Sequence, residues 1–386
     1  GNNITIGGSG DFDLNGTLTA APSGAGYIRL NTSGTVSLSA AANGALVVND
    51  ATLKLMPGGK LYEANSEASG SICYVTVSRL GTLDLNGVSA KSNGIHGSGK
   101  ITNNSETPAT LTCEWRPSGK NWQSFKPNFS GNIEGNIKLY ITGSGYYIYN
   151  YTQELGGNNT FNGGVTVGNA NFTLKINSPA ALGTGPLTIN GGNLDSESLV
   201  LSTNNEQIWN NSFTFKGSGS LNMGAGSVTL GTENPTVTVA KNNLVVEGPI
   251  GEEESGSGFT KAGAGKLILE SADSTYTGNT IVNEGALEVN GVLGSGDIFV
   301  KDGGKLILNA NETINDRATL SIEENGVAVL NNTAPELIKA LVIGGVEQFA
   351  GGTYGAPGSG AAHQIEDYFE GKGQVCFIGQ TFIMIR

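Results

Sequence analysis

IVNEGALEV (Ile281–Val289), VKDGGKLIL (Val300–Leu308) and IEENGVAVL (Ile322–Leu330) are three versions of one phrase. Each leaves an aliphatic position, crosses a few turn residues that include Gly, and closes on a second, alternating apolar strand. The same phrase recurs as VVNDATLKL (Val47–Leu55), LMPGGKLYE (Leu55–Glu63), VSRLGTLDL (Val77–Leu85), VGNANFTLKI (Val167–Ile176) and INGGNLD (Ile189–Asp195). Short strands joined by tight Gly or Asn turns fit antiparallel hairpins or the corners of a β-solenoid. Spacing separates the two. Val282 to Val300 is 18 positions and Val300 to Ile322 is 22, the scale on which one solenoid coil stacks on the next. A β-sandwich places its turns every ~8–12 residues. In a coil, inward Val, Ile and Leu pile on their counterparts, while corners select Gly and Asn for positive φ.

Composition agrees. Gly is 60 of 386 residues, about twice the ~7% average. Charged residues are 14% of the chain, and regularly spaced Val, Ile and Leu distinguish it from a disordered Gly-rich sequence. Asn158, Asn159, Asn242, Asn243, Asn331 and Asn332 suit side-chain amide ladders along a stack. Ala334 to Val342 and Ile365 to Glu370 carry enough helix formers for a short helical turn each. The expected fold is therefore all-β: a right-handed parallel β-helix (β-solenoid) forming a single elongated domain. A soft boundary divides N-terminal coils with an aromatic-rich insertion, 1–155, from repeat-bearing coils with a closing segment, 156–386.

Residues Gly263 to Val289 (GAGKLILESADSTYTGNTIVNEGALEV) resemble a full passenger-associated transport repeat, also called the autotransporter-associated β-strand repeat. Asn158 to Val167 (NNTFNGGVTV), followed by Ala180 to Asp195 (AALGTGPLTINGGNLD), resembles a partial second copy. Leu341 to Phe377 resembles the closing segment of such passengers. The resemblance covers about a third of the chain. It implies a right-handed β-helix exposed on, or released from, a Gram-negative cell surface, and no particular reaction. The membrane barrel that follows a passenger in a complete autotransporter is not in this sequence.

Net charge −12 argues against nucleic acid as a partner, because counterion release needs clustered Lys and Arg. No run of about 18 apolar residues is present, so no membrane insertion is expected within this chain. Gly1 to Gly10 lacks the basic and apolar regions of a signal peptide, as in a mature or trimmed form. Cys73, Cys113 and Cys376 are too few for a disulfide framework; one bridge, Cys73 to Cys113, is the conceivable pairing. No cofactor and no metal site are expected. His363 with Glu366 and Asp367, the Glu252–Glu254 run and GGSGDFDL (Gly7–Leu14) read more simply as loop residues. His96 and His363 have no Ser or Cys partner motif, so no catalytic residues are assigned.

The sharpest change in composition lies in Thr112 to Thr152. Trp115, Trp122, Tyr146, Tyr147, Tyr149 and Tyr151 concentrate there in a chain that is 7% aromatic. On an extended strand Tyr147, Tyr149 and Tyr151 share a face, with rings ~7 Å apart. These six residues are the candidate glycan platform; the competing reading packs them into the core. The leading expectation is a structural or adhesive module, secreted or on the cell surface, that binds an extracellular polysaccharide or host glycan. The alternative is a carbohydrate-active β-helix enzyme, lyase- or hydrolase-like, or its inactive homologue. It would draw its charges from Glu114, Arg116, Lys120, Lys126, Glu134 and Lys138.

Overall fold

A computed structural model describes residues 3–20, 26–62, 74–115, 126–143, 151–168 and 172–377. These residues form strands, bridges and turns, with no helix among them. They pack as two compact units, one of residues 1–195 and 201–205, the other of 196–200 and 206–386.

The first unit winds through three parallel sheets. Strands Tyr27–Thr32, Ala45–Val48, Val75–Val77 and Ile95–Gly97 follow one another in the first sheet, which continues through Asn128–Phe129, Tyr151–Leu155 and Phe172–Ile176. The second sheet stacks Thr35–Leu38, Thr52–Leu55, Thr82–Asp84, Lys100–Asn103 and Asn132–Gly135. The third stacks Ala90–Ser92, Ala109–Trp115, Ile137–Gly143, Val165–Gly168 and Leu187–Asn190. Because the side-chain period of a strand is two, parallel register places like residues over like. Ile28 lies under Leu46, Val75 and Ile95 in the first sheet, and Leu53 under Leu83, Ile101 and Ile133 in the second. Leu111, Leu139, Val165 and Leu187 form the third column, and all twelve side chains are buried.

The second unit repeats the plan. One sheet runs Phe213–Phe215, Thr236–Val239, Phe259–Ala262, Thr280–Val282, Ile298–Val300, Thr319–Ile322, Ala340–Ile343. Another runs Asn243–Val246, Lys266–Leu269, Gly285–Val289, Gly304–Leu308, Val327–Leu330. Leu244, Leu267, Leu287, Leu306 and Ala328 make a buried column inside it. The corner between these sheets needs left-handed backbone, which Gly285 (φ 63°) and Asn325 (φ 63°) supply.

The two stretches read as helical turns are not helical. Ala334 to Val342 holds strands Glu336–Leu337 and the start of Ala340–Ile343, whose Leu341 and Ile343 stack on Leu320 and Ile322. Continuing that column outweighs a few tenths of a kcal/mol per residue of helix preference. Ile365 to Glu370 is turn followed by the strand Phe369–Gly371, which pairs with Val327–Leu330. The winding ends in a change of direction. Val346–Glu347 turns back antiparallel on Ala340–Ile343, and Val375–Phe377 lies antiparallel to Gly352–Gly355, a device that keeps a flat parallel edge from templating another chain.

Candidate functional site

The segment from Phe259 to Val289 shows why its motif residues are needed. Tyr276 is fully buried, packs its ring at 5.7 Å from that of Phe259, and shares a 2.6 Å hydrogen bond between its hydroxyl and that of Thr280. Burial pushes the phenol up to about 12, so it stays neutral. Thr277 ties one coil to the previous one. Its N–H and hydroxyl donate to the two oxygens of Glu252 at 2.9 and 2.7 Å, which gives one member of the acidic run a structural role. Gly278 lies against the backbone of Gly256 and Ser257, where a Cβ would collide with the Gly256 carbonyl oxygen.

Lys261 is the least expected member. It occupies an inward position between Val237 and Val282 and is fully buried. Its ammonium donates to the carbonyls of Ala262 (2.9 Å), Gly263 (2.7 Å) and Glu284 (2.9 Å), closing the corner of two coils. Burial pushes this amine down to about 8, opposed by the nearby Glu284 charge.

The aromatic-rich stretch belongs to two consecutive coils. Trp115 ends the strand Ala109–Trp115 and pairs in register with Gly143, the last residue of Ile137–Gly143. The chain returns at Asn128–Phe129 and Tyr151–Leu155, which again pair, Asn128 with Glu154 and Phe129 with Leu155. Trp122, Tyr146, Tyr147 and Tyr149 lie between these roots, outside the described residues. Tyr151 is inside the coil at 1% exposure. Its hydroxyl donates to the Asn93 carbonyl at 3.0 Å, and its ring sits 5.4 Å from that of Phe172.

Gln153, which sequence reasoning did not single out, braces the base of this region. The side chain is fully buried; Oε1 accepts the Ile95 N–H at 3.1 Å, and Nε2 donates to the carbonyls of Ile95 (3.0 Å) and Pro127 (3.2 Å). An amide side chain thus serves backbone groups where the strand Asn128–Phe129 is too short to do so. The one advance sign was its neighbourhood, a Gln among Tyr and Thr in YTQEL (Tyr151–Leu155).

Among the described residues no three His, Cys, Asp or Glu side chains form a metal-binding group. His363 stacks on Tyr354 at 4.4 Å. The Cys113 thiol is free, buried and pushed up to about 12 by that burial; Cys73 lies outside the described residues. Of the charges named for an enzyme, Glu114 pairs with Lys91 at 3.4 Å and Glu134 with Lys100 at 2.6 Å.

Parallel strands stacked in register through successive coils define the protein as a β-solenoid. Residues 259–289 match the family described as Passenger-associated-transport-repeat. Comparisons with curated proteins and with solved structures returned no match. The repeat and the solenoid together fit a passenger-like module of an autotransporter. No helix among the described residues is long and apolar enough to cross a membrane.

Proposed function

We propose that this is a secreted or cell-surface adhesive module whose aromatic insertions bind an extracellular polysaccharide or host glycan. The observation that carries the reading is the rooting of two aromatic-rich insertions at paired residues, Trp115 with Gly143 and Asn128 with Glu154. The sequence between Trp115 and Asn128 carries Trp122, and that between Gly143 and Glu154 carries Tyr146, Tyr147 and Tyr149. Tyr and Trp present wide apolar faces with a polar edge, suited to stacking on sugar rings at low entropic cost. Tyr151 is not counted among the contacts because its ring is enclosed.

Glycan-array binding of the intact protein against Tyr147→Ala and Tyr149→Ala variants tests this. The expected result is several-fold weaker binding per ring removed, with thermal unfolding unchanged. Equal binding by wild type and both variants would contradict it.

A further inference from the structure

A small closing sheet ends the second unit. In it Glu336–Leu337 pairs with Val375–Phe377, Val375–Phe377 with Gly352–Gly355, and Gly352–Gly355 with His363–Gln364. Two side chains join the chain entering this sheet to the corner 309–318, which lies between the strands Gly304–Leu308 and Thr319–Ile322. Asn311 reaches out from the corner, and its Oδ1 accepts the N–H groups of Thr333 and Ala334 at 2.8 and 3.1 Å. Glu336 reaches back from the sheet, and its Oε1 accepts the Ile314 N–H at 2.6 Å.

The Asn311 tie is neutral at any pH, whereas the Glu336 tie is a carboxyl group shut away from water. Glu336 is 1% exposed, and Thr313 and Ile314 beside it are buried as well. Its Oε2 is enclosed and accepts no hydrogen bond. Among the described residues no Lys or Arg forms an ion pair with it, and Arg317, Lys339 and Lys372 are exposed. The titratable groups that face it add negative charge or none: Asp316 from the corner, and the Cys376 thiol from the partner strand. The N–H groups of Ile314, Glu312 and Thr313 favour the ionised form, but burial outweighs them and holds the carboxyl above its ordinary 4.5. An enclosed carboxylate without a counter-ion takes up a proton rather than stay charged. That proton has a use at this junction. Asn332 Nδ2 and the Glu336 N–H donate to the same Gln374 carbonyl, at 2.7 and 2.8 Å, while Asn332 Oδ1 is enclosed and accepts nothing. Two enclosed acceptors thus meet here with no donor for either, and a neutral carboxyl supplies one.

We propose that Glu336, in its neutral protonated form, latches the closing sheet to the last coils, so that this end of the solenoid holds tightest in acid and loosens as the pH rises. The sign follows from linkage. Once undocked, the carboxyl ionises near 4.5, and when docked it ionises at a higher pH. The latch is therefore at full strength below 4.5 and is lost as the pH climbs through the docked value. Loosening is confined to the closing sheet, because the columns of Leu244, Leu267, Leu287 and Leu306 hold no titratable group.

Hydrogen exchange of the intact chain from about pH 4 to about pH 8, each rate divided by its intrinsic value, tests the latch. The amides to follow are Ile314, bonded to Glu336 itself, and Glu336 and Ile338, bonded to the carbonyls of Gln374 and Cys376. In the wild type their protection is expected to fall by up to about tenfold per pH unit above the undocked value and then level off, while Leu267 and Leu287 stay protected. Glu336→Gln, neutral at every pH, should abolish that slope and keep the acid-level protection throughout. A flat wild-type profile, protection that rises with pH, or the same slope in Glu336→Gln would each overturn the inference. Where glutamine disturbs the corner, the carbon-13 shift of the Glu336 carboxyl in the wild type decides: titration above its ordinary range supports the latch, and titration within or below that range overturns it.

Discussion

Lys261 shows how a single residue can contradict its class and still belong. A lysine in an aliphatic column loses hydration, and three corner carbonyls at 2.7–2.9 Å replace the water. Its amine is held down to about 8 against an ordinary 10.5. Between those two pH values the unfolded chain binds a proton that the folded chain has released, so the contribution of Lys261 to stability rises with pH across that window. Denaturation midpoints should therefore move in favour of the wild type over Lys261→Met between pH 7 and 10.5, by on the order of 1–3 kcal/mol. Parallel pH curves for the two proteins would contradict this. Tyr276 makes the complementary case. Tyr276→Phe keeps the ring against Phe259 and strands the Thr280 hydroxyl in the interior. A loss of about 1–2 kcal/mol is expected by chemical denaturation.

Corners are where the elements differ, and polar side chains hold them. Buried Asn159 accepts the Ile133 N–H at 2.8 Å and donates to the Gly156 and Ala181 carbonyls at 3.0 and 2.7 Å. Asn205 donates to Gly183 and Gly185, and Asn332 to Ala334 and Gln374. Amide ladders exist as well, on the outside: Asn331 donates to Asn309 at 2.8 Å, Asn309 to Asn290 at 2.7 Å, and Asn290 to Glu270 at 2.8 Å. Abundant asparagine was legible as coil chemistry, and Asn331 does stand in a ladder. Asn159, Asn242 and Asn332 instead satisfy turn carbonyls, because sequence alone does not tell an inward corner from an outward row. Gln153 was illegible for a related reason. Its partners Ile95 and Pro127 are 58 and 26 positions away, and only the winding brings them together. Gln153→Leu is expected to cost about 2 kcal/mol or more and to speed hydrogen exchange at the Ile95 amide while leaving the columns of the second unit protected. Unchanged exchange at Ile95 would show that the brace carries no load.

At the scale of the whole molecule, the repeated phrase carried most of the information. Gly285–Val289, Gly304–Leu308 and Val327–Leu330 pair in parallel, in the register that their shared pattern implies. The candidate site was less legible. Trp115 and Tyr151 looked alike as aromatics, yet one ends a strand at the root of an insertion and the other faces inward. The solenoid rests on the stacking itself. One outward row of the second unit runs Thr236, Thr260, Ile281, Phe299, Ser321, Val342, one residue per coil. Spin labels at Thr236 paired in turn with Phe299, Ser321 and Val342 should give backbone separations growing in equal steps of ~4.8 Å, to ~24 Å across five coils. Pulsed electron resonance distances that fail to grow with each coil, or that fold back as they would in antiparallel hairpins, would contradict the solenoid.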